Sequence, residues 1–174
     1  IDKGEKVFLI VIDNLRLDQW RILSGELAEL FDIDEGFYMT ILPTATQYAR
    51  NAIFSGLMPL QIAQMFPNLW VDEEEEGKNL NEKPLIQTQI ERYRRHDKFS
   101  YHKVFDSNGA EKFMQQLNNL QQNNLNVLVV NFIDMLSHAR TEMKMIRELA
   151  SDESAYRSLT LSWFKHNVLA DVFR

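Results

Sequence analysis

The run Val7-Phe8-Leu9-Ile10-Val11-Ile12 constrains the fold more than any other segment of this chain. Its six apolar residues are rich in β-branched side chains and show no polar alternation. That pattern predicts a strand buried on both faces, as the strands of parallel sheets are. Asp13 follows directly. The carboxyl ends of such strands are where open α/β sheets build their ligand sites. The pattern recurs at residues 126–133, a second apolar run followed by Asp134 and, four residues on, by His138. Two strand-end acids, one paired with a histidine, predict a polar centre rather than a solvated surface.

Helical and extended patterns alternate around these two runs. Residues 15–30 place Leu15, Leu17, Trp20, Leu23, Leu27 and Leu30 at gaps of mostly three and four, which predicts an amphipathic helix. Residues 37–42 predict a strand ended by Pro43. A short helix over 47–54 should stop at Ser55-Gly56, and Pro59 should open another over 60–66. The acids at 72–76 predict an exposed, self-repelling loop. A helix is expected over 82–95, ending in Arg92, Arg94 and Arg95, and a strand over 100–105. Asp106-Ser107-Asn108 offers caps for a helix over 110–122. After the Asp134 strand a loop is expected, and Ser151 is placed to cap a last helix over 152–172. The fold class is therefore α/β, a layered α/β/α sandwich with a mostly parallel sheet.

At 174 residues the natural count is a single domain, 1–174. The net charge of −6 argues against broad duplex nucleic-acid binding, which needs a basic face to release counterions. It leaves room for a small phosphate-bearing substrate, because a metal ion can reverse the local field. The absence of cysteine excludes disulfides and thiolate ligation and fits a cytoplasmic location. No apolar stretch reaches the roughly 18–20 residues of a membrane span. The polar start at Ile1 is no secretory signal. The start on Ile and the end at Arg174, just after an apolar helix, lead us to expect a piece of something longer.

Three constellations can carry chemistry: Asp13, the Pro43-Thr44-Ala45-Thr46 turn, and Asp134 with His138. Each has a bland alternative, since Asp13 and Thr46 are good helix caps and a lone histidine is usually a structural hydrogen-bonder. Together they have a chemical logic. A hydroxyl at a helix N-terminus lies in a positive field beside free N–H groups, which favours an alkoxide and an incoming phosphate. Acids at several strand ends can hold two divalent ions that clamp the attacking and leaving oxygens of a phosphoryl group.

A strand ending in Asp, a Pro-Thr-x-Thr turn, and a helix ending in Gly-x-x-Pro (Ser55-Gly56-Leu57-Met58-Pro59) resemble the alkaline phosphatase superfamily and match the nucleophile region of its phosphodiesterase branch without a gap. Asp134-Met135-Leu136-Ser137-His138 is similar to its Asp-x-x-x-His metal motif. The wording of Asp13-Asn14-Leu15-Arg16-Leu17-Asp18-Gln19-Trp20 and of Asn131-Phe132-Ile133-Asp134 is closer still to PglZ domains. Within those it looks most like the effector domain of PorX-type response regulators, which regulate type IX secretion in Bacteroidetes. The resemblance covers nearly the whole chain. It implies that residues 1–174 are the N-terminal part of such a domain, incomplete at the C-terminus. It makes Thr46 the nucleophile, Asp13 and Thr46 ligands of one zinc ion, and Asp134 and His138 ligands of a second. It further implies an upstream receiver domain, a possible homodimer, and a nucleotide-type phosphodiester as substrate.

Two features depart from the superfamily pattern. Ala49 stands where phosphodiesterase members often carry a phosphate-binding Asn; Arg50, one helical turn from Thr46, is the expected substitute, with a surface salt bridge as its duller role. The later Asp-His-Gly motif is absent, and His166 does not replace it. These 174 residues alone are therefore expected to bind zinc weakly and to show little activity. The competing reading is a degenerate phosphatase-like module used for protein–protein interaction in signalling. A third is a plain α/β domain in which these acids and the threonine are caps.

Overall fold

The computed structural model describes residues 4–71 and 79–173; the expected acidic loop at 72–76 lies outside them. It is an α/β fold around a three-stranded parallel sheet in the order β1-β3-β2, with β1 at Val7–Ile12, β2 at Phe99–Val104 and β3 at Leu125–Val130. The α-helices among the described residues are α1 (Leu17–Leu27), α2 (Thr46–Ser55), α3 (Pro59–Met65), α4 (Glu82–Arg92), α5 (Ser107–Leu120), α6 (Phe132–Glu142), α7 (Lys144–Leu149) and α8 (Glu153–His166). No helix among the described residues is long and apolar enough to cross a membrane. Contacts divide the chain into two compact units, one running to Glu35 and resuming at Lys98, the other Gly36–Asp97.

In the first unit β3 is the central strand. Val127, Leu128, Val129 and Val130 are all buried, so successive side chains are covered on both faces. Leu128 and Val130 join Val104 of β2 and Ala110, Phe113 and Leu120 of α5 in one apolar cluster. Phe132 and Trp163 stack at the margin of that cluster, ring centroids 4.3 Å apart. A polar bridge ties α1 to α8: fully buried Gln19 donates from Nε2 to Thr160 Oγ1 at 2.8 Å and accepts the Arg16 N–H at 3.0 Å. Both ends of Gln19 are thereby satisfied, which its burial demands.

Several expectations need correction. β1 was expected to be covered on both faces, but it occupies an edge of the sheet, with Phe8 48% and Leu9 37% exposed. Residues 37–42 form no strand; Tyr38, Met39 and Leu42 are exposed, Met39 at 91%. Their composition suits a ladder, but a strand exists only with a partner, and this run pairs with none among the described residues. The second apolar run ends at Val130, and helix, not strand or loop, follows as α6 and α7. The cap of α8 is Asp152, which accepts the Ala155 N–H at 2.8 Å, rather than Ser151.

The second unit is helical. α2 packs on α4, with Phe54, Ile62, Leu85, Ile86 and Ile90 buried. Gly56 ends α2, as its place in the sequence predicts, in the left-handed region at φ +63°.

Candidate functional site

The first unit gathers polar groups at the carboxyl end of its sheet. Asp13 is buried, and its N–H continues the β1–β3 ladder by donating to Val130 O at 2.9 Å. The chain then turns sharply: Asn14 adopts φ +60°, and the Leu15 N–H reaches back to Ile12 O at 3.4 Å. Asparagine is among the few residues that tolerate this left-handed conformation. Asp13 is therefore not the cap of α1, whose N-cap position Arg16 holds.

On β3 the matching position is Asn131, whose N–H donates to Val104 O at 3.1 Å. Asn131 is buried, and its side-chain oxygen has no hydrogen-bond partner among the described residues. An unpaired buried amide oxygen is costly in a folded protein and is a common signature of a site built for something else. Sequence reasoning missed it because Asn131 was absorbed into a strand expected to run on to 133.

Asp134 stands in the first turn of α6, where the helix dipole favours a carboxylate. One turn later His138 faces it, with Nε2 3.7 Å from Asp134 Oδ1. The His138 side chain is 70% exposed and that of Asp134 24%, so the pair opens to solvent. The structure thus brings Asp134 and His138 together. A catalytic zinc takes about three protein ligands. Among the described residues no group of three or more His, Cys, Asp or Glu is arranged to hold a metal ion. The pair supplies two donors, short of a complete zinc centre.

A profile of one family matches residues 1–169: the alkaline phosphatase-like PglZ domain of the BREX system. The chain belongs to the PglZ family. A search of curated proteins gave no match. The PglZ match bears out the superfamily resemblance read from the motifs, and the parallel α/β sheet agrees with an alkaline-phosphatase-like fold. Membership suggests a phosphoesterase-type hydrolase module, in a superfamily whose members commonly use metals.

Thr46 and Arg50 of this PglZ domain lie in the second unit. Thr46 is the first residue of α2, and Ala45 holds the N-cap position. The capping role considered for Thr46 is therefore not the one it has. Its hydroxyl takes no hydrogen bond among the described residues, and it sits in the turn whose N–H groups lack intrahelical acceptors. Arg50 is placed differently from expectation. Its Nη2 meets Glu82 Oε2 at 2.6 Å, with the two side chains 3% and 0% exposed. This is a buried ion pair between α2 and α4, not a surface salt bridge, and it offers no accessible guanidinium to a phosphate. An arginine on α2 and an acid opening α4 gave no signal in the sequence that they would meet.

Proposed function

We propose that this domain is a metal-dependent phosphoesterase that cleaves nucleotide-type phosphodiesters, with the Thr46 hydroxyl as nucleophile toward phosphorus. The observation that carries this reading is the position of Thr46 in the first turn of α2, outside the cap and without a hydrogen bond, within a chain that matches PglZ over residues 1–169. The positive end of α2 favours both the anionic oxygen of the nucleophile and the charge of the incoming phosphate. Asp13, Asp134 and His138 are assigned as zinc ligands. A two-zinc centre needs donors beyond these three. Arg50 was expected to bind a phosphate oxygen; its buried pairing with Glu82 supports a positioning role instead, fixing α2 and hence Thr46 against α4. The PorX-like wording of the motifs supports a response-regulator setting in the cytoplasm, with a receiver domain upstream and a homodimer as the working form.

The test is hydrolysis of bis(4-nitrophenyl) phosphate by the full-length protein with zinc supplied, comparing it with its Thr46→Val variant. The variant keeps the β-branched shape and should retain its circular dichroism while losing turnover on the order of 10⁶-fold, the scale seen when a nucleophile is removed. Turnover unchanged in Thr46→Val rejects the nucleophile. A second reading has its own support in the two-donor Asp134–His138 pair: a degenerate phosphatase-like module that recognises a protein partner. Absence of turnover in the unmodified protein favours it.

A further inference from the structure

Beside the Asp134–His138 pair, in the same unit, lies a cavity of about 490 Å³ whose walls carry Arg16, Arg140 and Arg147, with Ser137, Thr141 and Tyr156 between them. Its position follows from the chain. Asn14, also on its wall, follows Asp13, and Ser137 precedes His138. Asp134, Ser137, His138 and Thr141 share one stripe of α6 at spacings of three and four. The stripe runs from the acid–histidine pair into the cavity over about 10 Å, at 1.5 Å per residue.

The charge balance there is opposite to that of the whole chain. Arg16 pairs with Asp18 at 2.8 Å and with Glu153; Arg140 meets Glu153 at 3.0 Å, and Arg157 meets Asp18 at 3.1 Å. Among the described residues Arg147 donates only to the Thr141 carbonyl, at 2.7 Å. The three guanidiniums on the wall thus share two carboxylates, one of which Arg157 also neutralises from outside the cavity. The Arg16 and Arg140 guanidinium carbons lie 5.1 and 5.0 Å from the centre of the Tyr156 ring, which orders both heads. Burial holds the Tyr156 hydroxyl above its ordinary range, and that hydroxyl donates to the Ile133 carbonyl at 3.4 Å. Ordered guanidiniums match the geometry of phosphate oxygens, and the volume falls within the range of small-molecule sites.

We propose that this cavity binds a second phosphate of the substrate, one that is not hydrolysed, and so selects phosphodiesters that carry a further phosphate group. The assignment rests on the phosphoesterase reading above. Its binding step is testable without catalysis. Inorganic pyrophosphate is titrated calorimetrically into the protein in EDTA, so that no metal can mediate binding. Arg147→Gln is the informative variant, because it leaves no carboxylate without its partner. It should weaken pyrophosphate at least about tenfold, the scale of a hydrogen bond to a charged group. Glu153→Gln should tighten binding, because it frees two guanidiniums; a purely structural salt bridge predicts no such gain. In turnover, Arg147→Gln should raise KM for a 5′-phosphorylated dinucleotide and leave KM for bis(4-nitrophenyl) phosphate unchanged. Absence of saturable pyrophosphate binding, or binding that a folded Arg147→Gln leaves unaltered, overturns the proposal. Binding with these variant effects but no hydrolysis supports the cavity and rejects the phosphoesterase reading; hydrolysis with binding indifferent to Arg147 does the reverse.

Discussion

Arg50 and Glu82 are two charges removed from water, and such a pair is sensitive to which partner is lost. Truncating Glu82 to Ala leaves a guanidinium buried without its counter-charge, and breaking a buried pair in this way costs about 3–5 kcal/mol. Replacing both, as Arg50→Met with Glu82→Leu, removes the desolvated charges together and should recover most of that loss. Urea titrations of Arg50→Met, Glu82→Leu and the double variant measure the coupling; additive effects would show that the pair contributes nothing specific. The same residues mark how far single side chains were legible in the sequence. Asp134 and His138 face each other because four residues make one helical turn, a relation local enough to read. Arg50 with Glu82, and Gln19 with Thr160, meet through tertiary packing that no spacing encodes. Arg140 and Arg147 went unnoticed because the stretch after Asp134 was expected to be a loop, which hid the α6 stripe that leads to them.

At the level of elements, punctuation was more readable than pairing. Gly56 ends α2 in the left-handed region, and Pro59 opens α3, both as their chemistry dictates. Gly56→Ala is expected to cost about 1–2 kcal/mol, the penalty of holding an L-residue at φ +63°. The added methyl would also come 2.5 Å from Gln89 Nε2, but that atom ends a flexible side chain and can move aside. A fall in melting temperature checks the estimate, and an unchanged midpoint would mean that the turn relaxes. Asp106 caps α5 as expected, accepting the Gly109 N–H at 2.7 Å. Strands were harder. The apolar run at 7–12 became an edge, and the one at 37–42 became no strand, because a ladder depends on a neighbour that its own sequence does not specify.

For the whole molecule, the ion pairs set a direction for its response to acid. Arg16, Arg95 and Arg140 hold Asp18, Asp97 and Glu153 below the ordinary carboxylate range. Depressed folded values mean that these contributions are complete above the unfolded carboxylate values and fade as the pH falls through the folded ones. The melting temperature should therefore stay level from pH 7 to about 5 and drop below about 4, with a shallower drop in Glu153→Gln. A melting temperature that rises on acidification would contradict this. The α/β class and the alternation of elements were legible because they rest on local periodicity; the strand order was not, since it joins segments far apart in the chain. That separation has a kinetic consequence. Val7 pairs with Leu125, a closure of about 120 residues that costs loop entropy before any ladder hydrogen bond can form. At a translation rate of roughly 5–20 residues per second, β1 leaves the ribosome roughly 6–25 s before its only partner strand among the described residues exists. For that interval an apolar strand, with Phe8 and Leu9 still half uncovered in the finished fold, has nothing of its own chain's sheet to hold it. β1 is then open to a ribosome-bound chaperone during synthesis, and slow codons ahead of β3 would lengthen that exposure.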